Sequence, residues 1–278
     1  MDEQITISPY FIETIHGKIF VIEYIPRMPN HKTETVIIVP PFAEEMNRSR
    51  RMMSLQARGL AGNGVRAIIV DLYGTGDSAG EFSDARWSFW CDSILSVLSS
   101  LDEASRGSIS FLAIRFGALV LFDPKSELIS RARKIVLWSP CTNGLTFLRQ
   151  FLRIRIASQM SENNSNRESI TELMERFAAG ESVEVAGYEI SAELARSIES
   201  ATLNVGKLEK RPSVYWFELV STPDNALPVA SNAVIEQMRR DNIEVSVSPI
   251  CGERYWSSVE ITTVPRLIDA TTAVFIGA

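Results

Sequence analysis

The chain has 278 residues, of which 45% are apolar and 22% charged, and its net charge is −6. Such a length can bury a substantial core, as one large domain or two small ones. The negative charge gives no electrostatic basis for nucleic-acid binding. No membrane span is predicted, because the longest run without a charged residue covers only 135–148 and contains Pro140.

The scarce residues narrow the chemistry further. The two histidines are His16 and His31, which excludes a histidine base late in the chain and a zinc site built from several histidines. The cysteines Cys91, Cys141 and Cys251 form no CxxC motif, and their odd number gives no disulfide framework. We therefore predict a cytoplasmic protein without metal or cofactor. The acidic N-terminus, which lacks a secretion signal, agrees with this location.

The pattern of apolar residues predicts strands that alternate with helices. Continuous β-branched runs are typical of strands buried on both faces of a parallel sheet, whereas apolar residues three or four apart are typical of helices. The first half of the chain is predicted to contain two antiparallel strands over 5–25 with a turn at Gly17, a strand at 35–39, a helix at 48–62, a strand at 65–72, a helix at 86–101, a strand at 109–114 and a helix at 116–122. The second half is predicted to contain strands at 134–140 and 213–220, a helix at 229–240, a strand at 244–250 and a helix at 258–275.

Residues 143–211 interrupt this alternation, because the sequence predicts helices there and no strand. Nearly 70 residues are too many for one crossover, so we predict a helical cap inserted over the carboxyl edge of the sheet. The core would then comprise residues 1–142 and 212–278. The arginine-rich helix at 145–160 is expected to present a solvated charged face.

This order of elements resembles the α/β-hydrolase fold, a mostly parallel doubly wound sheet. In that fold the nucleophile lies in a G-x-S-x-G turn between a strand and a helix. The literal match, Gly76-Asp77-Ser78-Ala79-Gly80, is followed by polar residues rather than by an apolar helix. We therefore expect this loop to shape the edge of the site and Ser78 not to be the nucleophile.

A second segment has the expected context but a different residue at its centre. Residues 109–122 read as strand, sharp turn and helix, with Ala113 and Gly117 as the small flanking residues and Arg115 at the nucleophile position. A guanidinium is always protonated and cannot attack a carbonyl. It can bind a carboxylate or phosphate through paired hydrogen bonds, or it can serve as a structural counter-ion. Both interpretations remain open.

The other positions of a serine triad are only partly filled. Asp224 fits the acid position, whereas Glu253 stands near the place where the histidine would follow the last strand. Ser-His-Asp catalysis is therefore not supported. Cys251, close to Arg254, is a weaker candidate nucleophile, since a buried inert thiol is the commoner case.

Further candidate residues follow from their positions in the fold. The backbone N–H groups of Phe42 or Ala43 and of Phe116 are expected to form an oxyanion hole. Two carboxylates and two aromatic residues are expected near the entrance of the same site. They are Glu44, Glu45, Tyr255 and Trp256.

Several longer motifs resemble one family more specifically. They are PPFAEEMNRSRRM (40–52), DLYGTGDSAGEF (71–82), RWSFW (86–90), IRFGAL (114–119), LW-SP (137–140) with FLRQFLRIR (147–155), AGYEIS (186–191) and GERYW (252–256). The chain resembles the second type of hydrolase associated with exosortase A systems, which occur in bacteria that make exopolysaccharide. The resemblance covers nearly the whole chain and implies that arginine at the elbow is a shared trait.

Three hypotheses about function follow. Arg115 would face a pocket roofed by residues 143–211, within reach of Glu44, Glu45, Asp224 or Glu253. The pocket would bind a small anionic or acylated ligand without serine-triad turnover. Alternatively, a carboxylate would activate water to hydrolyse an ester or a glycan substituent. A third hypothesis is a non-catalytic scaffold, as a homodimer or with a partner in the exopolysaccharide machinery.

Overall fold

The computed structural model describes residues 5–27, 34–102, 108–161, 168–204, 211–222 and 227–277. Strands and helices alternate through most of these ranges. The strands are β1 (Ile5–Thr14), β2 (Gly17–Pro26), β3 (Thr35–Val39), β4 (Arg66–Val70), β5 (Ile109–Ile114), β6 (Lys134–Trp138), β7 (Val183–Val185), β8 (Tyr188–Ile190), β9 (Ser213–Val220) and β10 (Val245–Cys251). The helices are α1 (Glu44–Gly62), α2 (Trp87–Ser100), α3 (Gly117–Leu121), α4 (Gly144–Ser161), α5 (Ile170–Ala178), α6 (Ala192–Ser200), α7 (Val229–Arg240) and α8 (Pro265–Ile276).

Eight strands form one sheet in the order β1-β2-β4-β3-β5-β6-β9-β10. The pairs β1–β2 and β2–β4 are antiparallel, and the remaining neighbours are parallel. Every residue of β3 and β5 is buried, as expected for β-branched and apolar runs with helices on both faces. The predicted doubly wound, mostly parallel sheet is confirmed.

Two apolar clusters cover the two faces of this sheet. Because side chains alternate along a strand, Ile37 and Val39 pack into one cluster, whereas Val36 and Ile38 pack into the other. The first cluster includes apolar residues of α2, α3 and α4, and the second includes those of α1 and α8. The carboxyl ends of the parallel strands therefore lie between the helices that cover the two faces of the sheet.

Among the residues described between β6 and β9, none forms a strand of the large sheet. This segment contains α4, α5 and α6, whose apolar residues pack into the first cluster, together with an antiparallel hairpin of β7 and β8. The prediction that 143–211 contains no strand is therefore wrong. The hairpin strands have only three residues each, and its turn uses Ala186 and Gly187, both at positive φ. The division into core and cap remains a prediction.

Two helices begin four or more residues away from their predicted starts. The first helix begins at Glu44 rather than near residue 48, because the turn at Ala43 (φ 49°) directs the chain into the helix without a side-chain cap. The last helix begins at Pro265 rather than at 258. Proline is favoured in the first turn of a helix and disfavours helical backbone in the residue before it, which explains the later start.

Candidate functional site

Arg115 lies on the sharp turn between β5 and α3, with a φ of 52°. Its backbone is held from both sides, because its N–H donates to the carbonyl of Trp138 at 3.0 Å and its carbonyl accepts from the N–H of Cys141 at 3.0 Å. Gly117 is required by close packing, since a Cβ there would lie 2.5 Å from the carbonyl oxygen of Pro40. The turn therefore has the geometry of a nucleophile elbow, with arginine at its apex.

The Arg115 side chain is paired with Glu45 at the start of α1. Its Nε and Nη2 atoms each lie 3.4 Å from a different carboxylate oxygen of Glu45, while Nη1 donates to the carbonyl of Ser139 at 2.9 Å. The guanidinium carbon also lies 4.6 Å from the centre of the Trp256 ring, a cation–π distance. Both charged side chains are largely buried, with 19% and 24% of their surfaces exposed.

These contacts leave donors unused. The three hydrogen bonds of Arg115 occupy three of the five N–H groups of a guanidinium. In the ranges that the structure describes, the remaining two, one on each Nη nitrogen, have no acceptor. The same holds there for the backbone N–H groups of Phe42, Ala43 and Phe116, the predicted oxyanion-hole donors.

Arg115 and Glu45 line a pocket of about 320 Å3 between α1, α4 and the segment after β10. One part of the lining is charged or polar, and the other is apolar and comes largely from α4. The lining residues are Glu44, Glu45, Arg48, Arg115, Phe147, Gln150, Phe151, Ile154, Ala186, Trp256 and Ser257. A lining divided in this way suits a ligand with one polar end and one apolar end.

Burial sets the protonation of the groups around Arg115. It raises the pKa of the Glu45 carboxyl, although the charge and hydrogen bonds of Arg115 act in the opposite direction. Burial also raises the pKa of the Cys141 thiol to about 12 and that of the Tyr255 hydroxyl well above its usual value. Cys141 and Tyr255 are therefore neutral near pH 7, and the cation of Arg115 is balanced chiefly by Glu45.

The other predicted site residues are distributed unevenly. Glu44 lines the pocket, but its carboxylate pairs with Arg48 and lies near Asn47. Glu253 is exposed and is not part of the pocket lining. Tyr255 is buried against Trp138 and Trp256, and its hydroxyl has no partner among the described residues. Asp224 lies outside the described residues.

Two residues beside Arg115 were not singled out from the sequence. Ser139 has a φ of 40°, gives its carbonyl to Arg115 and accepts the N–H of Leu219 with its hydroxyl. Glu218 is a buried carboxylate that accepts from Trp216 Nε1 at 2.9 Å and from the hydroxyl of Ser231 at 3.1 Å. A glutamate inside the apolar run SVYWFELV was a signal that could have revealed it.

Ser78 has a structural position. Its hydroxyl donates to the carbonyl of Asp71 at 2.6 Å and accepts the N–H of Phe20 at 2.8 Å, so it joins the loop to β2. The Asp71 carboxylate in turn pairs with Arg50 at 3.0 and 3.1 Å. Both hydroxyl bonds are to backbone groups, an arrangement that stabilises a loop and does not activate an oxygen for attack.

The other reactive side chains that the structure describes offer no alternative catalytic centre. Burial and the nearby Asp123 raise the pKa of the Cys91 thiol above its ordinary value, and Cys251 donates to the carbonyl of Ser221 at 3.4 Å. His16 contacts Asp92 at 3.0 Å and stacks on Phe89, outside the pocket. Within the described ranges, no three His, Cys, Asp or Glu side chains cluster closely enough to hold a metal ion.

Solved structures with this architecture are numerous. Est1E from Butyrivibrio proteoclasticus, solved with ferulic acid bound, is 15% identical, has a TM-score of 0.67 and matches over 97% of this chain and 100% of its own. DcsB, solved with a substrate analogue, is 16% identical with a TM-score of 0.62, over 98% of each chain. Mouse alpha/beta hydrolase domain-containing protein 10 is 14% identical with a TM-score of 0.59, over 96% of this chain and 98% of its own.

The chain therefore has the α/β-hydrolase fold, as its element order predicted. At identities of 12% to 16% this similarity establishes the fold and not an activity. No protein-family model and no curated protein sequence matches the chain. Among the described helices, none is both long and apolar enough to cross a membrane.

Proposed function

We propose that the pocket beside Arg115 binds a small anionic or acylated ligand and that the chain does not perform Ser-His-Asp hydrolysis. The observation that carries this proposal is the guanidinium at the elbow, which keeps one unused N–H on each Nη nitrogen among the described residues. Such donors bind the oxygens of a carboxylate or phosphate with charge-assisted hydrogen bonds. The apolar side chains of α4 give the rest of the ligand a place to be buried.

In this proposal residues 143–211 act as the cap, over a core of residues 1–142 and 212–278. Phe147 and Phe151 of the cap would enclose the tail of the ligand, and Trp256 would hold the Arg115 guanidinium in place by stacking. Glu253, which is exposed and does not line the pocket, has no part in this mode of binding.

The resemblance of the motifs to exosortase A-associated hydrolases leads us to place this activity in the cytoplasm of an exopolysaccharide-producing bacterium. The ligand would then be an acylated or acidic intermediate of that chemistry. This assignment rests on the sequence motifs alone, and the pocket supports only the class of ligand.

A second candidate function is favoured by one observation. Glu45 is a largely buried carboxylate whose pKa is raised by burial, and it lies in the pocket next to a fixed cation. A carboxylate in this setting can activate water while the guanidinium stabilises an oxyanion. Slow turnover of a carboxylic ester that Glu45→Gln abolishes and Ser78→Ala does not would favour this second function over simple binding.

The main proposal is tested by thermal melts with octanoate, benzoate and acetyl phosphate, together with labelling by a fluorophosphonate probe. We expect at least one anion to raise the melting temperature and the probe to leave every serine unmodified. Arg115→Met should abolish the shift. Arg149→Ala is the matched control, because Arg149 is an exposed arginine of α4 that does not line the pocket.

Stoichiometric labelling of Ser78 would contradict the proposal. So would an anion-dependent shift that persists in Arg115→Met.

A further inference from the structure

The two arginines that line the pocket are already paired, Arg115 with Glu45 and Arg48 with Glu44, so neither is a spare positive charge. Two carboxylate oxygens of Glu45 already face two nitrogens of Arg115, and both side chains are less than one-quarter exposed. A ligand anion that uses the two free N–H groups would become the second negative group on one guanidinium. In a largely buried site this excess negative charge is poorly screened by solvent.

We propose that an anionic ligand binds beside Arg115 together with one proton, which is taken up by the carboxylate of Glu45. This inference rests on the proposed binding function and specifies its linkage to pH. Glu45 would remain beside Arg115 as a neutral acid, and its hydroxyl could donate a hydrogen bond to the incoming anion. The ligand class is therefore a monoanion with an apolar tail, because a dianion would require a second neutralising group.

Of the titratable groups described around Arg115, Glu45 is the one placed to accept that proton. Cys141 and Tyr255 hold their own protons, since burial raises the pKa of both. On its own helix, Glu44 pairs with Arg48 and has 45% of its side chain exposed, so solvent screens its charge. Facing Arg115 from β9, Glu218 is bound to Trp216 and Ser231 and does not touch Glu45 among the described contacts.

The direction of the effect follows from linkage. Before binding, the Glu45 carboxyl is largely ionised above its own pKa, and a neighbouring anion raises that pKa further. Between the pKa of the free protein and that of the complex, each unit of lower pH should strengthen binding about tenfold. Burial already raises the pKa of Glu45, which brings this interval closer to neutral pH.

The test is isothermal titration calorimetry of octanoate and trans-cinnamate into the full chain, at several values between pH 5.5 and 7.5. At each pH the binding enthalpy is measured in buffers with different ionisation enthalpies, because the slope of that relation gives the number of protons exchanged. We expect uptake that approaches one proton per ligand at some pH in this range. Glu45→Gln should bind with no proton uptake and an affinity that does not change with pH.

Glu253→Gln is the matched control, and it should retain the uptake because Glu253 is exposed and does not line the pocket. Binding without proton exchange, or uptake that survives in Glu45→Gln, overturns this inference and leaves the proposed binding function intact. Absence of binding by both carboxylates to the wild-type chain, at every pH tested, contradicts the binding function itself and this inference with it.

Discussion

Two short segments of this chain resemble the nucleophile motif of a serine hydrolase, and they have different roles in the structure. The loop at residues 76–80 has the letters of the G-x-S-x-G motif, but its serine is bonded to two backbone groups. The turn at 113–117 lacks the serine, yet it has the strand, the positive φ and the helix of an elbow. The comparison teaches that backbone context identifies the site, whereas the motif letters alone do not.

A glycine is required in each segment, for a different steric reason. In the loop, Gly76 has a φ of 57°, and a Cβ there would lie 1.9 Å from Asp71 Oδ2 and 2.4 Å from Arg50 Nη2. At the elbow, Gly117 lies against the carbonyl oxygens at the end of β3. The first glycine makes room for a structural ion pair, and the second brings α3 close to the sheet.

The largest effect is expected from Gly76→Ala, which tests the structural role of the loop. The added methyl group cannot coexist with the Arg50–Asp71 pair, so the Asp71 carboxylate, which is only 2% exposed, would lose its cation. The free energy of unfolding should therefore fall by about 3 to 5 kcal/mol, the usual cost of leaving a buried charge unpaired. Urea denaturation followed by circular dichroism measures the change. Gly64→Ala is the control, because Gly64 also has a positive φ, of 84°, and a Cβ there meets nothing within 4 Å. Equal stability of the two variants would contradict this role.

Arg115→Met should have a smaller effect on stability and a large effect on binding. The substitution leaves the partly exposed Glu45 carboxylate without its cation, which should cost about 1 to 3 kcal/mol of unfolding free energy. Loss of the charge-assisted bonds should weaken octanoate binding roughly ten- to hundred-fold. Chemical denaturation and calorimetry measure the two quantities.

A loss of stability from Arg115→Met without any loss of binding would make Arg115 a structural counter-ion. The double variant Arg115→Met/Glu45→Gln supplies a check, because it should recover part of the lost stability if the two side chains act as a pair.

Ser78→Ala should have an intermediate effect that is purely structural. Without the hydroxyl, the N–H of Phe20 loses its acceptor, which should cost about 1 to 3 kcal/mol. Anion binding should not change, because Ser78 does not line the pocket. A variant that melts normally but no longer binds octanoate would assign Ser78 a role in the site.

The smallest effect is the pH dependence of stability that Glu45 contributes. Because its pKa is raised on folding, the folded chain retains this proton at a pH where the unfolded chain has lost it. The free energy of unfolding should therefore decrease as the pH rises from the ordinary glutamate pKa, about 4.3, through the folded pKa of Glu45. When wild type and Glu45→Gln are denatured at values from pH 4 to 8, this decrease in the free energy of unfolding should be present in the wild type and absent from the variant.

The sequence predicted most of the sheet because its strands have strong, short signals. Runs such as TVIIV and ISFLAI are apolar at every position, and the helix between β9 and β10 was predicted at its observed bounds, Val229–Arg240. The hairpin of β7 and β8 was missed because three-residue strands give too few positions to establish alternation. The early start of α1 was missed because Ala43 is not a capping residue.

The site was predictable only in part. The elbow could be found because strand, turn and helix are adjacent in the chain. The partner of Arg115 could not be chosen from the sequence, since Glu44 and Glu45 are neighbours and only their direction around α1 separates them. The apolar wall that Phe147 and Phe151 form depends on how α4 packs back over the sheet, a long-range contact that no local pattern contains.

The most direct test of an anion site at the elbow is a crystal structure of the chain with 4-bromobenzoate. Anomalous scattering from bromine locates the tail of the ligand independently of the carboxylate. We predict the carboxylate within about 2.7 to 2.9 Å of the Arg115 Nη nitrogens, the usual length of such charged bonds, and the bromine beside Phe147 and Phe151. A ligand bound away from Arg115, or a pocket that stays empty at saturating ligand, would contradict this account.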